Sequence, residues 1–145
     1  MIMKNSSEFN IELNTKDNDG MTAFHWACYN GHSKIAEMLM NNSAEFNIEL
    51  NDKDNDGMTA FHYACRWGET SIVELLINNS EAFNLDLTAT NNEGKTGFQL
   101  AQDVGRSEVV NLFLSKMPYF KHLPGFVFTI YQSLKNFFSL LYGLE

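Results

Sequence analysis

Basic charge is scarce in this chain. Ten Lys and Arg stand against 18 Asp and Glu, giving a formal net charge of −8 and a pI near 4.9. Phosphate binding wants clustered Lys and Arg, so the balance argues against nucleic acid as the main partner. The surplus acid is read as the solubility of an exposed surface. Cysteine is scarce too, with only Cys28 and Cys65. Two buried-type thiols fit a reduced, cytoplasmic protein rather than a disulfide scaffold. Long apolar runs are missing. Met1–Met3 is too short for a signal-peptide core. The apolar end of the chain carries Lys135 and several polar residues, so a transmembrane span is not expected there. The sequons at Asn5, Asn41 and Asn78 then have no secretory context. Also missing are a nucleophile–base pair, a Gly-rich phosphate loop and paired carboxylates. No catalytic residue and no cofactor is therefore expected, and the chain is not read as an enzyme.

What is present is repetition. Asp17–Gly31 reads DNDGMTAFHWACYNG, and Asp54–Gly68, 37 positions later, reads DNDGMTAFHYACRWG. Asn91–Gly105, NNEGKTGFQLAQDVG, is a weaker third copy. Residues 9–45 and 46–82 agree at about two positions in three. Self-similarity at a fixed period of this size marks a repeat array.

Each copy has a local reading. Gly20, Gly57 and Gly94 follow polar runs of Asp, Asn and Glu, which is turn chemistry. Thr22, Thr59 and Thr96 sit where helix N-caps belong. Phe24, Ala27 and Cys28 then fall at i, i+3, i+4, one face of a helix, and Phe61, Ala64 and Cys65 repeat that face. Gly31, Gly68 and Gly105 are candidate glycines just past the helix ends. Ser33, Thr70 and Ser107 are expected to cap a second helix. Its apolar stripe reads Ile35, Ala36, Met38, Leu39, then Ile72, Val73, Leu75, Leu76, then Val109, Val110, Leu112, Phe113.

These residues resemble the ankyrin repeat family, whose units follow Asp-x-x-Gly-x-Thr-Pro-Leu-His-x-Ala and then Gly-His. Asp17, Gly20, Thr22, His25, Ala27, Gly31 and His32 match that pattern. So do Asp54, Gly57, Thr59, His62, Ala64 and Gly68 in the second copy. The third keeps Gly94, Thr96, Ala101 and Gly105, with Gln99 in place of the motif His. Ala23, Ala60 and Gly97 stand where the family has Pro, so the first helical position loses its pre-set φ. The resemblance spans roughly residues 9–116. It implies an all-α solenoid of stacked helix-turn-helix units with extended connecting loops, plus a C-terminal apolar helix.

The expected organisation is a partial repeat end and connector over 1–14, an array over 15–116 with units near 15–51, 52–88 and 89–116, and an apolar segment over 117–145. Residues 1–14 closely match Met38–Asn51, so the array reads as starting inside a repeat: either it is a piece of a longer ankyrin protein, which is the expectation, or its first unit is degenerate. The period of 37 exceeds the family's usual length of about 33. The surplus lies near Phe46–Asn51, FNIELN, where alternating apolar residues suggest extended chain with one buried side. Asn14 and Asn51 fall where the family often has an Asn at this bend.

Two metal readings are weighed and set aside. Asp52, Asp54, Asp56 and Gly57 open like a calcium loop, but its twelfth position would be Tyr63 rather than Glu. His25 with Cys28, and His62 with Cys65, have ligand-like i, i+3 spacing. Equivalent residues on stacked helices lie about 8–10 Å apart, too far for one zinc or for a Cys28–Cys65 disulfide. In ankyrin repeats the motif His is structural, bonding across adjacent turns, and that role is expected here. No metal site is assigned.

The variable surface remains. Trp26, Tyr29 and Asn30 point away from the apolar face, with equivalents Tyr63, Arg66 and Trp67. In the ankyrin family these positions and the turn tips line the binding groove. The expected partner-binding residues are Asp19, Met21, Trp26, Tyr29, Asp56, Met58, Tyr63, Arg66 and Trp67. Aromatic and Arg residues are the types enriched at binding hot spots. The implied function is a scaffold or binding module for a protein or peptide with basic character. The rival reading is a membrane-associated adaptor anchored by the amphipathic C-terminal segment, through residues 127–141. That segment is otherwise expected to cap the third repeat.

Overall fold

The structure, a computed structural model, describes residues 12–116. The expectations for the apolar tail and for the start of the N-terminal connector lie outside the described residues. The chain divides into two compact units, Met1–Val110 and Asn111–Glu145. Every residue of the candidate site belongs to the first.

Seven helices and no strand occur among the described residues: α1 (Ala23–Tyr29), α2 (Ser33–Asn41), α3 (Ser43–Phe46), α4 (Ala60–Trp67), α5 (Thr70–Asn78), α6 (Gly97–Asp103) and α7 (Ser107–Lys116). The helical solenoid expected from the repeat is present. In the first unit α1 packs on α4, α4 on α6, and α2 on α5. One row is thus made of first helices, and a second row of second helices.

The first helices start where the threonines predict. Thr22, Thr59 and Thr96 all have extended φ/ψ and accept the third helical amide on their side chains. The third helical residue returns the bond, so each start is a capping box. The helices end at glycines in the left-handed region, with Gly31 at φ 74°, Gly68 at 74° and Gly105 at 73°. The second helices differ from expectation. Ser33, Thr70 and Ser107 are their first helical residues, and the caps of α2 and α5 are His32 and Glu69, without a side-chain bond. His32 and Glu69 are not among the residue types that cap well, and the Ser33 and Thr70 amides bond back to the glycine carbonyls instead.

The Asp-rich turns are explained by their own amides. Asp17 Oδ1 accepts from the amides of Asp19 at 3.0 Å and Met21 at 2.9 Å. Asp54 and Asn91 do the same for their turns. Successive turns then stack. The Asn55 amide donates to the Asp19 carbonyl, and the Asn92 amide to that of Asp56, each at 3.0 Å.

The connectors are more compact than the alternating pattern suggests. Ser43–Phe46 winds into α3, and Asn47 then takes a left-handed φ of 53°, as Asn84 does at 52°. Asn is among the few non-glycine residues that accept this conformation readily. Ile48 and Leu50 are buried and Glu49 is exposed, so the alternation holds after the bend and fails before it. Asn14 clamps this bend from the preceding connector. Its Nδ2 donates to the Asn47 carbonyl and its Oδ1 accepts the Glu49 amide at 2.8 Å. Asn51 holds Asn84 and Asp86 in the same way.

The core is the apolar face shared by the two rows: Phe24, Ala27 and Cys28, then Phe61, Ala64 and Cys65, then Phe98 and Ala101, with Leu39, Ile72, Val73 and Leu76 behind them. Two residues of the expected stripe are exposed, and Leu75, Val110 and Leu112 are half-buried. Ile35 is 48% exposed and Met38 51%, whereas Ile72, the equivalent of Ile35, is 1% exposed. Among the described residues, α5 has α2 stacked on it, and α2 has no second helix on its corresponding side. Met40 and Ile77, not assigned to the stripe, are buried.

Candidate partner-binding face

The motif histidines set the spacing of the first-helix row. His25 Nδ1 accepts the Thr22 amide at 3.1 Å, so the ring hydrogen sits on Nε2. Nε2 donates to the Met58 carbonyl of the next turn at 2.9 Å. His62 repeats this with the Thr59 amide at 3.0 Å and the Lys95 carbonyl at 3.0 Å. Each ring therefore closes its own helix start and ties it to the following repeat. Both nitrogens are committed to the protein. Burial pushes the Cys28 and Cys65 thiols up, away from the thiolate form that metals bind.

That spacing fixes the outward residues of α1 and α4. The Tyr29 ring lies at the centre of a cluster. Its centroid is 5.4 Å from Trp26, 5.5 Å from Tyr63 and 5.2 Å from Trp67. The interplanar angles of 60–62° are those of tilted and edge-to-face pairs. Trp26 and Trp67 keep 41% and 42% of their surface exposed, and Tyr29 and Tyr63 are half-buried. Arg66 is exposed beside them.

The turns hold the aromatic edges. Trp26 Nε1 donates to Asp17 Oδ2 at 2.8 Å. The Tyr63 hydroxyl donates to Asp54 Oδ2. The same aspartates that close the turns thus also orient the ridge. Hydrogen bonds from the Met21 amide and then the Trp26 indole hold the Asp17 carboxyl below its usual range. Burial, followed by the Asp54 bond, raises the Tyr63 phenol and keeps it a donor. Sequence reading missed both pairs, although Asp17–Trp26 and Asp54–Tyr63 share a nine-residue separation.

The structure brings together Trp26, Tyr29, Tyr63 and Trp67, with Arg66 between the last two on α4. Asp19 and Asp56 are exposed at the turn tips. Met21 and Met58 are corrected: they are 5% and 2% exposed, so their side chains are core, not surface. Each follows the turn glycine, and its amide is pinned to Asp17 or Asp54 on the inner side of the turn. Glu93, the third tip, stands 3.7 Å from Lys95, whose ammonium pairs with Asp103 at 2.6 Å.

A family model described as ankyrin repeats (3 copies) matches residues 45–122. A second, ankyrin repeats (many copies), matches residues 4–40. The chain belongs to the ankyrin repeat family. Ankyrin repeats generally serve as protein–protein interaction modules and are not known as a catalytic family. The capping boxes and His-to-carbonyl ties are thus the framework of this ankyrin array, and the aromatic ridge is carried on it. No helix among the described residues is long and apolar enough to cross a membrane.

Proposed function

We propose that this ankyrin array binds a protein or peptide partner along the ridge of Trp26, Tyr29, Tyr63, Arg66 and Trp67, with Asp19 and Asp56 as its acidic border. The observation that carries the reading is the cluster around Tyr29, flanked by two half-exposed tryptophans. Large aromatics packed on one another are already ordered, so a partner meets a surface with little side-chain entropy left to lose. Tryptophan, tyrosine and arginine are also the residues that dominate measured hot spots. The acidic border favours a partner with Lys or Arg near its contact and speeds encounter at low salt. The division into a connector over 1–14, an array over 15–116 and a segment over 117–145, and a cytoplasmic location, belong to the same proposal.

The test is site-specific photo-crosslinking in source lysate. A photoreactive phenylalanine at position 66 should capture a discrete protein, and Trp67→Ala in the same chain should abolish the capture. The same probe at position 38, on exposed α2, is the control. Capture from position 38 alone would overturn the assignment.

A further inference from the structure

The ridge has more chemistry than an apolar patch. Trp26 has its one polar group tied to Asp17 and Tyr63 has its hydroxyl tied to Asp54. What these rings offer a partner is therefore carbon and π surface. Beside it lie the exposed carboxylates of Asp17, Asp19 and Asp56, whereas Asp54 is buried behind Tyr63. Asp17 already accepts two backbone amides and the indole. A carboxylate offers about four lone-pair sites, so it keeps room for a further donor, while Asp19 and Asp56 are exposed at the tips. Electron-rich ring faces next to acceptor-only groups attract a cation. A planar guanidinium satisfies both parts at once, stacking on a ring and presenting N–H edges to carboxylates. An ammonium is a compact, strongly hydrated charge and uses the flat faces less well.

We propose that the anchor of the partner is an arginine side chain, seated against the Trp26–Tyr29–Trp67 rings with its N–H edge toward the aspartates of the turns. The inference rests on the partner-binding reading of this face and specifies its chemistry. It differs from that reading in what would defeat it. A partner captured at position 66 without any guanidinium preference defeats the anchor alone. Guanidinium binding on the ridge with no capture there defeats the partner site alone.

The chain supplies its own probe, because its two tryptophans are Trp26 and Trp67. Tryptophan emission of the full chain should be titrated with N-acetyl-argininamide and with N-acetyl-citrullinamide at constant ionic strength. In citrulline a neutral urea replaces the guanidinium with nearly the same shape. Argininamide is expected to give a saturable change at about fivefold lower concentration than the citrulline compound. Trp67→Ala should weaken the response read from Trp26, while Met38→Ala leaves it unchanged. Equal responses to the two compounds would overturn the proposal. So would a Trp26 response that Trp67→Ala leaves intact. The comparison of compounds uses the unaltered chain, so it holds even if a variant folds poorly.

Discussion

The second and third repeats start their first helices with the same device and use it differently. At Thr59–His62 the imidazole accepts the cap amide on one nitrogen and reaches the Lys95 carbonyl of the next turn with the other. At Thr96–Gln99 the amide oxygen accepts the Thr96 amide at 2.9 Å, and the side chain is exposed. Gln makes a capping box. His makes a capping box and an inter-repeat tie. A rigid ring with nitrogens on opposite sides can face two repeats, whereas the flexible amide serves the local cap. Among the described residues, the third repeat is thus locally complete and shows no onward tie of the kind the first two make.

Breaking the comparison outright should give the largest effect. His62→Ala removes both bonds and leaves the Lys95 carbonyl with the Asn91 amide as its remaining donor. A loss of about 2–4 kcal/mol is expected in urea unfolding. Gln99→Ala removes only a local box and should cost about 0.5–1 kcal/mol. Equal losses would show that the tie across repeats adds nothing.

His62→Gln sharpens the point, because it turns the second repeat into the third repeat's kind. The box should survive and the tie should go, at a cost of about 1–2 kcal/mol. The same variant should change the pH profile. Burial is the main cause that lowers the His62 pKa in the folded state. The unfolded chain then binds the proton more readily, so this contribution is complete above the unfolded value of about 6.5 and declines as pH falls below it. Urea midpoints measured from pH 7.5 to 5 should drop more steeply for the native chain than for His62→Gln. Parallel profiles would assign the acid sensitivity to other groups.

A smaller effect is expected at the contact between α4 and α6. A Cβ on Gly97 would lie 3.0 Å from Phe61 Cδ1 and 3.1 Å from Cys65 Sγ. The equivalent positions carry alanine, so Gly97→Ala tests whether the third repeat packs more closely than the second. Its melting temperature should fall by roughly 4–8 °C, equivalent to about 1 kcal/mol. A rise would mean that the helix preference for alanine outweighs the crowding.

The smallest effect on folding should come from the ridge. Trp67→Ala removes a half-exposed ring, so its melt should shift by only a few degrees. Binding of a captured partner should weaken by about 2 kcal/mol or more in calorimetry. A large loss of stability with unchanged affinity would place Trp67 among the packing residues.

The sequence alone determined the features that depend on neighbours along the chain. Thr22, Thr59 and Thr96 cap because a hydroxyl three residues ahead of an amide needs only local geometry. Gly31, Gly68 and Gly105 end helices because only a left-handed residue turns the chain there. The repeat itself was legible along the chain, whereas the tie made by the motif histidines spans 33 residues and was expected only from the resemblance to the family. Tertiary structure decided what depends on a neighbouring repeat. Ile35 and Ile72 share a local pattern, yet one is exposed and the other buried, because stacking and not periodicity covers a helix face. Met21 and Met58 looked like turn tips, but the stacked turns take them into the core. Tyr29 aligns with Arg66 in the repeat, yet its ring meets Tyr63 and Trp67, on either side of that position. Register along the chain names equivalent residues. Contact across helices joins a residue to those one turn apart on its neighbour, and only the packed array fixes which they are.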